Sequence, residues 1–582
     1  MESPRPTQIP LIIGVTGHRD LASEEIMRLR ETVRRWLEHL RKRFPDSPLQ
    51  VATSLSPGAD LLVAEEALAI GIECIAVLPM PVEQCCSDFN GAHELQRFEQ
   101  TLSRCQECVV CPLGQHMTLE ELDGAGHART AQYAAAGEII ASSAFILLAL
   151  WDGKPSHHEA GTARTVEFRL GQRAWFNEGR KPTHQELLPN IPHDVVYHIV
   201  TSRLTSTPTS GLEPLQEGYR SRSGGPLESA LPRTAELVAA RTSELNRELR
   251  RHGAAIAQAG VATELIGELV DPPASIVEMT KLFSALDWFA TRMRRAVMGR
   301  MLLAAVLTIL MGVFFLAHSH SDQHPLWRYS ILAYFLVFLS LVICNRQIHT
   351  GQLHRRFLEA RALAEGLRVE LFWSIAGVPM AGGTPAAHRR ILKQADPGLE
   401  WIPNAIRAAT LPLFALRHAG IPGGLEFALR KWIGSHTESG SQSEQLRYFR
   451  RTGRRNAVFV FWAERARVGT IIVGLSVTAI LIAELVTSND THRIVLLFLV
   501  GLFPLGASVI ETYIQNTAKR ELRRQYDYMY DVFRSARDRL LQANSDNERR
   551  TILALLGHAA LSEHAEWLFL HRDRPIDRNR MQ

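Results

Sequence analysis

A chain of 582 residues with a net charge of +5 is long enough for several domains, and its charge is too mild to make nucleic acid an expected partner. Its seven cysteines, an odd count without framework spacing, exclude a disulfide scaffold and suit a reducing compartment. The average composition is that of a soluble protein, but the apolar residues are concentrated in blocks flanked by arginine, a pattern that reads as membrane-surface charge.

Met1 to Pro10 is polar and proline-bearing, and the apolar run after it is only a strand in length. No secretory signal is read there, so the amino-terminal part is expected in the cytoplasm. Short apolar runs follow at Leu11 to Val15, Leu49 to Leu55, Ile72 to Leu78, Cys108 to Leu113, Phe145 to Trp151 and Val195 to Thr201. Segments of helical periodicity such as Ser23 to Phe44 and Ala59 to Ile70 lie between them, which predicts a parallel α/β sheet of Rossmann type over residues 1–203.

Ligands bind such sheets at the carboxyl ends of the strands. The first end is Gly14-Val15-Thr16-Gly17-His18-Arg19-Asp20, where small residues admit a close backbone approach and Thr16 and Arg19 can hydrogen-bond phosphate. The second, Ser54 to Asp60, is a tight turn feeding a helix, with Asp60 placed either to cap that helix or to hold a ribose hydroxyl. The third is Trp151-Asp152-Gly153 followed by Gly161-Thr162-Ala163, a Gly-Thr pair at a helix start whose N–H groups form an anion site. Cys105, Cys108 and Cys111 have CxxCxxC spacing, with Cys85 and Cys86 as further contributors. Cys111 falls inside an apolar strand and no second pair completes a tetrahedral set, so no metal is expected. His157 and His158 read as a solvated loop.

The ordered set GVTGHRD, SLSPGADLLVAEEAL, ECIAVLP, YAAAGEIIASSAFILLALWDG and GTARTV resembles the SLOG superfamily, the Rossmann-like group that includes the LOG and DprA-like proteins. The resemblance implies a nucleotide or nucleotide-derivative ligand, with NAD- and ADP-ribose-related molecules among the candidates and no firm cofactor. Carried over by position, it assigns nucleotide binding to Gly14, Thr16, Gly17, His18, Arg19, Gly58, Ala59, Asp60, Asp152, Gly153, Gly161 and Thr162. The hydrolytic LOG enzymes carry a PGGxGTxxE loop. Here Ala160 replaces a glycine and Glu167 is displaced from the acid position, which favours binding without turnover. The alternative is a membrane-anchored LOG-like nucleotide phosphoribohydrolase with Arg164 and Glu167 as its catalytic pair.

Residues 204–234 are rich in Ser, Thr, Gly and Pro and read as a mobile linker, and helical periodicity returns over 235–300, interrupted near Asp271-Pro272-Pro273. Two uncharged runs follow, Met301 to Ala317 and Tyr329 to Cys344, separated by a short polar turn, and predict a transmembrane hairpin over 301–344. The other reading of these runs is a buried helical hairpin in a large soluble protein. Arg292, Arg294, Arg295 and Arg300 before them and Arg346, Arg355 and Arg356 after them put both ends in the cytoplasm.

Residues 345–467 read as a cytoplasmic helical region, with Leu363, Leu367 and Leu371 on one face and Arg361 and Glu365 at pairing distance, broken by loops at Gly377 to Pro385 and Gly434 to Gln445. Val468 to Ala483 and Ile494 to Ile510 predict a second hairpin over 468–510, with Pro504 as a kink, Gly501 and Gly506 as close-packing positions, and Glu484 and Glu511 snorkelling at its edges. Residues 511–582 read as cytoplasmic helices without an HExxH motif. The hairpins and this tail, ending in Arg572-Asp573-Arg574-Pro575, are similar to the SLATT family of two-helix membrane effectors of prokaryotic conflict systems. Together the resemblances imply an inner-membrane, multi-pass, homo-oligomeric effector with cytoplasmic termini, in which a nucleotide controls a four-helix pore-forming or membrane-disrupting region. The other class of reading is a structural membrane protein whose α/β domain docks a partner.

Overall fold

The computed structural model describes residues 8–89, 91–114, 117–124, 126–156, 160–171, 195–220, 225–259, 265–320, 327–350, 353–379, 397–434, 444–487 and 492–572. His157, His158 and Glu159, the turn residue Asp322, loop residues 380–385 and 435–443, and Asp573, Arg574 and Pro575 lie outside them. All six runs read as strands form strands. They are β1 (Leu11–Gly17), β2 (Leu49–Thr53), β3 (Glu73–Leu78), β4 (Glu107–Val110), β5 (Ile146–Trp151) and β6 (Val196–Val200), every neighbouring pair parallel. With the seventh strand, β7 (Glu217–Arg220), the order is β4-β3-β2-β1-β5-β6-β7, so the winding reverses between β1 and β5. Continuous burial of Leu11 to Thr16 and of Ile146 to Trp151 is what central parallel strands covered on both faces require.

The seventh strand corrects the linker expectation. Glu217–Arg220 (β7) pairs antiparallel with β6, inside the segment 204–234. Tyr219 faces Tyr197, their rings 4.9 Å apart, and Tyr197 stacks on Trp36 at 4.3 Å, so an aromatic run holds this edge where composition alone signalled a loop.

The helices around the sheet are positioned by their apolar faces. In α1 (Ile26–Arg43), Leu29, Val33, Trp36, Leu37 and Leu40 are buried at helical spacing. Helix α2 (Ala59–Ala69) is buried almost throughout, and α3 (Ala92–Arg104) buries Phe98. Helix α4 (His127–Ser143) reaches β1 because Gly14 has no side chain: a Cβ there would lie 2.8 Å from that of Ala144 and 2.9 Å from Ile140 Cγ2. Helix α5 (Thr162–Arg169) follows β5. In α6 (Arg233–Arg251), the fully buried Asn246 donates to Ile9 O and accepts from Ile9 N, both at 2.9 Å, closing the backbone groups that precede β1.

Packing divides the chain into two units, one comprising Met1–Leu286, Leu363–Ala428 and Asp546–Ser562, the other Asp287–Ala362, Leu429–Ser545 and Glu563–Gln582. The first unit corrects the expected boundaries, because part of the region 345–467 packs with the sheet. Helix α7 (Ala274–His320), helix α8 (Trp327–Thr350) and helix α9 (Leu353–Ala376) come first, the last burying Leu363, Leu367 and Leu371. Helix α10 (Trp401–Thr410) then buries Trp401, Ile402, Ala405, Ile406 and Ala408, and Ala408 and Leu411 share a core cluster with Ile12, Ala52 and Leu147. Periodicity announces such a face and is silent about what it covers. Arg417 pairs with the buried Glu370 and lies 4.7 Å over the Trp373 ring, while Trp373 Nε1 donates to Leu553 O at 3.0 Å. Arg361 donates to Asp287 at 2.7 Å, and Glu365 accepts from Arg368 at 3.0 Å.

Among the described residues four helices are long and apolar enough to span a bilayer: α7, α8, and the later α11 (Glu444–Thr487) and α12 (Arg493–Asn516), the last followed by α13 (Lys519–Gln542) and α14 (Asp546–Arg572). Within the second unit Cys344 Sγ lies 3.7 Å from Arg300 O, and Phe315 meets Tyr334 at 5.9 Å. Val477, Leu481 and Leu496 pack together. Gly501 makes room for Leu316, as a Cβ there would lie 2.6 Å from Leu316 Cδ2, whereas Gly506 faces open space. Glu511 accepts from Arg520 at 3.0 Å and lies 3.4 Å from Arg467 Nε. Leu302, Val306, Phe335, Leu339, Ile472 and Ile480 point outward, an apolar exterior that water would disfavour and lipid would not.

Candidate functional site

A cavity of about 980 Å³ opens where the winding reverses, against the carboxyl ends of β1, β2 and β5. Of the residues singled out from the sequence, Thr16, Gly17, His18, Arg19, Asp60, Asp152, Gly161 and Thr162 line it. Gly14, Gly58, Ala59 and Gly153 do not belong to the lining and shape it from behind. A Cβ on Gly17 would overlap that of Ala59, so the start of α2 can approach β1, and Ala59 N donates to His18 O at 3.0 Å. Gly58 (φ +85°) faces the carbonyls of His18 and Arg19 at a distance no side chain tolerates. Leu55 in the same loop is buried with φ +53°, a left-handed conformation that costs a bulky residue about 1 kcal/mol or more.

Asp60 does not cap α2. Gly58 is the N-cap and no side chain caps there; Asp60 is 6% exposed and its Oδ2 accepts from Ser54 Oγ at 2.5 Å. Its Oδ1 is buried and has no hydrogen-bond partner among the described residues, which leaves an acceptor at the cavity wall. Burial pushes this carboxyl up to about 7, against the opposing pull of the Ser54 hydroxyl and the Arg19 charge.

His18 Nε2 lies 3.1 Å from Asp152 Oδ1 and 3.2 Å from Asp152 N. Burial lowers its pKa and outweighs the raising effect of Asp152, so the imidazole is neutral near pH 7 and supplies no positive charge to an anion. Lys154 N donates to Asp152 Oδ1 at 3.1 Å, turning the loop so that Lys154 joins the lining, and its ammonium has no carboxylate partner among the described residues. Gly161, at φ +132°, is the N-cap of α5, and Thr162, Ala163 and Thr165 of that helix face the cavity. The first-turn N–H groups there favour a phosphate or carboxylate. Arg164 and Glu167 are not part of the lining.

Sequence reasoning missed a second wall. Asp88, after β3, accepts from Arg129 at 2.7 Å and from Tyr133, both on α4, and lies 3.5 Å from Arg19 Nη2. Arg19 is stacked 4.7 Å over the Tyr133 ring. Arg129 also donates to Leu122 O and Gln84 O, so its charge is committed to holding the wall, whereas Arg19 meets its carboxylate only across the long contact to Asp88. On the far side Arg203 pairs with Asp20 at 2.9 Å. Asp88 and Arg129 are 41 residues apart in sequence and Asp20 and Arg203 are 183 apart, and no local motif announces these pairs. Among the described residues no group of three or more His, Cys, Asp or Glu could hold a metal ion, and Cys111, directly after β4, is buried while Cys108 is exposed.

The site therefore combines an ammonium and a helix start for an anion, a loosely held guanidinium, and a desolvated carboxyl oxygen for a hydroxyl or amine. The chain is an α/β protein with a switch-point cavity, followed by a mostly helical region in which, among the described residues, four helices are long and apolar enough to cross a membrane. Compared with family models, curated proteins and solved structures, it matches none of them.

Proposed function

We propose that the chain is a nucleotide-sensing membrane protein of prokaryotic conflict systems, in which the switch-point cavity binds a nucleotide derivative and its occupancy controls two transmembrane hairpins. The observation that carries the ligand reading is the pairing of an unpartnered, buried Asp60 oxygen with a cationic, helix-start end made by Lys154 and Gly161-Thr162 in one cavity. A nucleotide offers the matching halves: phosphate for the second, a ribose hydroxyl or base amine for the first. The apolar exteriors of α7, α8, α11 and α12 support membrane insertion, and arginine flanking both pairs supports cytoplasmic termini. An oligomer is part of the reading because four helices line a pore poorly.

Binding can move the helices only if the two states hold the ligand with different affinity. The test uses the full chain, purified in detergent and screened by thermal shift against mononucleotides, dinucleotides and ADP-ribose derivatives, then reconstituted in dye-loaded liposomes. A stabilising nucleotide that also triggers dye release is the expected result. Recovery of the chain in the soluble fraction without detergent, or the absence of leakage with every nucleotide that binds, overturns the proposal. The hydrolase alternative predicts ribose 5-phosphate release, and the position of Arg164 and Glu167 outside the cavity lining weighs against it.

A further inference from the structure

Three cations of the second unit stand together without a counter-charge. Lys519 opens α13, immediately after Ala518, whose left-handed backbone (φ +52°) turns the chain from α12 into α13. Its ammonium feels the positive charges of Arg294 on α7 and Arg455 on α11. None of the three has a carboxylate within ion-pair distance among the described residues. The neighbouring carboxylates are already committed: Arg520 takes Glu464 at 2.9 Å and Glu511 at 3.0 Å, and Arg467 lies 3.4 Å from Glu511.

Two further features make this a shaped site. Lys519 Nζ lies 3.4 Å from Asn456 Oδ1 and 5.2 Å from the centroid of the Phe459 ring, which fixes where the ammonium points. Asn456 is 3% exposed, and its Nδ2 is buried with no acceptor among the described residues. A buried amide donor left unmatched beside three like charges is unfavourable until an anionic oxygen arrives.

The surroundings identify that anion's carrier. Val458, Phe459, Phe461 and Trp462, all within two turns of Asn456 along α11, are exposed, with Trp462 64% accessible. Arg465 stacks 4.2 Å over Phe461. Exposed aromatic side chains next to cations, on a helix able to span a bilayer and ahead of its uncharged run from Val468, have the composition of a membrane interface, where tryptophan sits at headgroup depth. We propose that Arg294, Arg455, Lys519 and Asn456 form a binding site for the phosphate headgroup of an anionic phospholipid. Its acyl chains would lie along the apolar exterior of α11. The proposal rests on the membrane-spanning reading and is independent of what the α/β cavity binds.

The test uses the full chain purified in detergent, with thermal shift and native mass spectrometry read against added phosphatidylglycerol and phosphatidylcholine. The wild type is expected to retain and be stabilised by phosphatidylglycerol in preference to phosphatidylcholine. Each cation removed should weaken that preference about fivefold, so Arg455→Gln with Lys519→Gln loses roughly 25-fold. Should the double variant fail to fold, Arg455→Gln alone decides the matter, since Arg455 is exposed. Arg523→Gln with Arg524→Gln, two exposed cations on α13 outside the cluster, should keep the preference. Equal losses in the two variants would mean diffuse surface charge and would overturn the site. So would a wild type indifferent to headgroup charge, or stabilisation by inorganic phosphate alone that phosphatidylglycerol does not reproduce. Failure of the membrane reading itself would appear earlier, as a chain that needs no detergent.

Discussion

Replacing Asp60 by asparagine should make the protein more stable at pH 8 than the wild type, and the advantage should fade at pH 5. The folded carboxyl titrates at about 7 against an ordinary 3.8 because burial disfavours the charged form. Between those values the folded chain keeps a proton that the unfolded chain has released, so stability falls as pH rises through that window and the full penalty is present above it. A displacement of about three pH units corresponds to about 4 kcal/mol at ~1.36 kcal/mol per unit. The N-terminus of α2 offsets roughly 0.3–1 kcal/mol of this by favouring the anion, which leaves about 3 kcal/mol. Asparagine keeps an acceptor for Ser54 and carries no charge to desolvate. The readout is thermal unfolding of the full chain in detergent, wild type against Asp60→Asn, at pH 5 and pH 8. Only the part accrued between pH 5 and about 7, two units or about 2 kcal/mol after the helix offset, separates the two measurements, so at ~2–4 °C per kcal/mol the difference in midpoint between the two proteins should grow by about 4–8 °C from the lower to the higher pH. A difference that does not change with pH would refute the argument that the cavity wall desolvates this group.

Three further outcomes follow from packing and charge. Glu370→Ala strands the Arg417 guanidinium among buried side chains and should cost about 3–5 kcal/mol, whereas Glu370→Gln with Arg417→Met should cost much less; chemical denaturation of both variants measures the contrast. Gly17→Val forces a side chain into Ala59 and Leu150 O and should lower the unfolding midpoint and abolish any thermal shift by nucleotides, with a loss of ~2–3 kcal/mol or more. Gly501→Leu would collide with Leu316 and should destabilise the helical unit in detergent by ~1–3 kcal/mol, while Gly506→Leu, facing open space, should change the midpoint little.

What the sequence disclosed and what it withheld divide along the range of the interactions. Strands β1 to β6 were legible because each is a short apolar run between turn residues, and the first wall of the cavity was legible because its glycines follow β1, β2 and β5 directly. The roles of the glycines were less so: Gly14, Gly58 and Gly153 carry backbone conformation and helix approach, and only coordinates separate that from ligand contact. The wall of Asp88, Arg129 and Tyr133 had no local signal, since it depends on α4 lying beside the loop after β3. Strand β7 was masked by its Ser-, Thr- and Gly-rich neighbourhood, where pairing with β6 overrides a weak propensity.

The unit that holds the cavity is assembled from three separate stretches of chain, the last of them beginning at Asp546. A ribosome making this protein emits all six parallel strands in its first two hundred residues, yet Ala408 and Leu411, which complete their apolar cluster, appear only after both α7 and α8 have left the exit tunnel. A nascent sheet must therefore wait, partly uncovered, until the later helices arrive. Expression of the first 203 residues alone would isolate an intermediate of synthesis in place of a self-sufficient sensor.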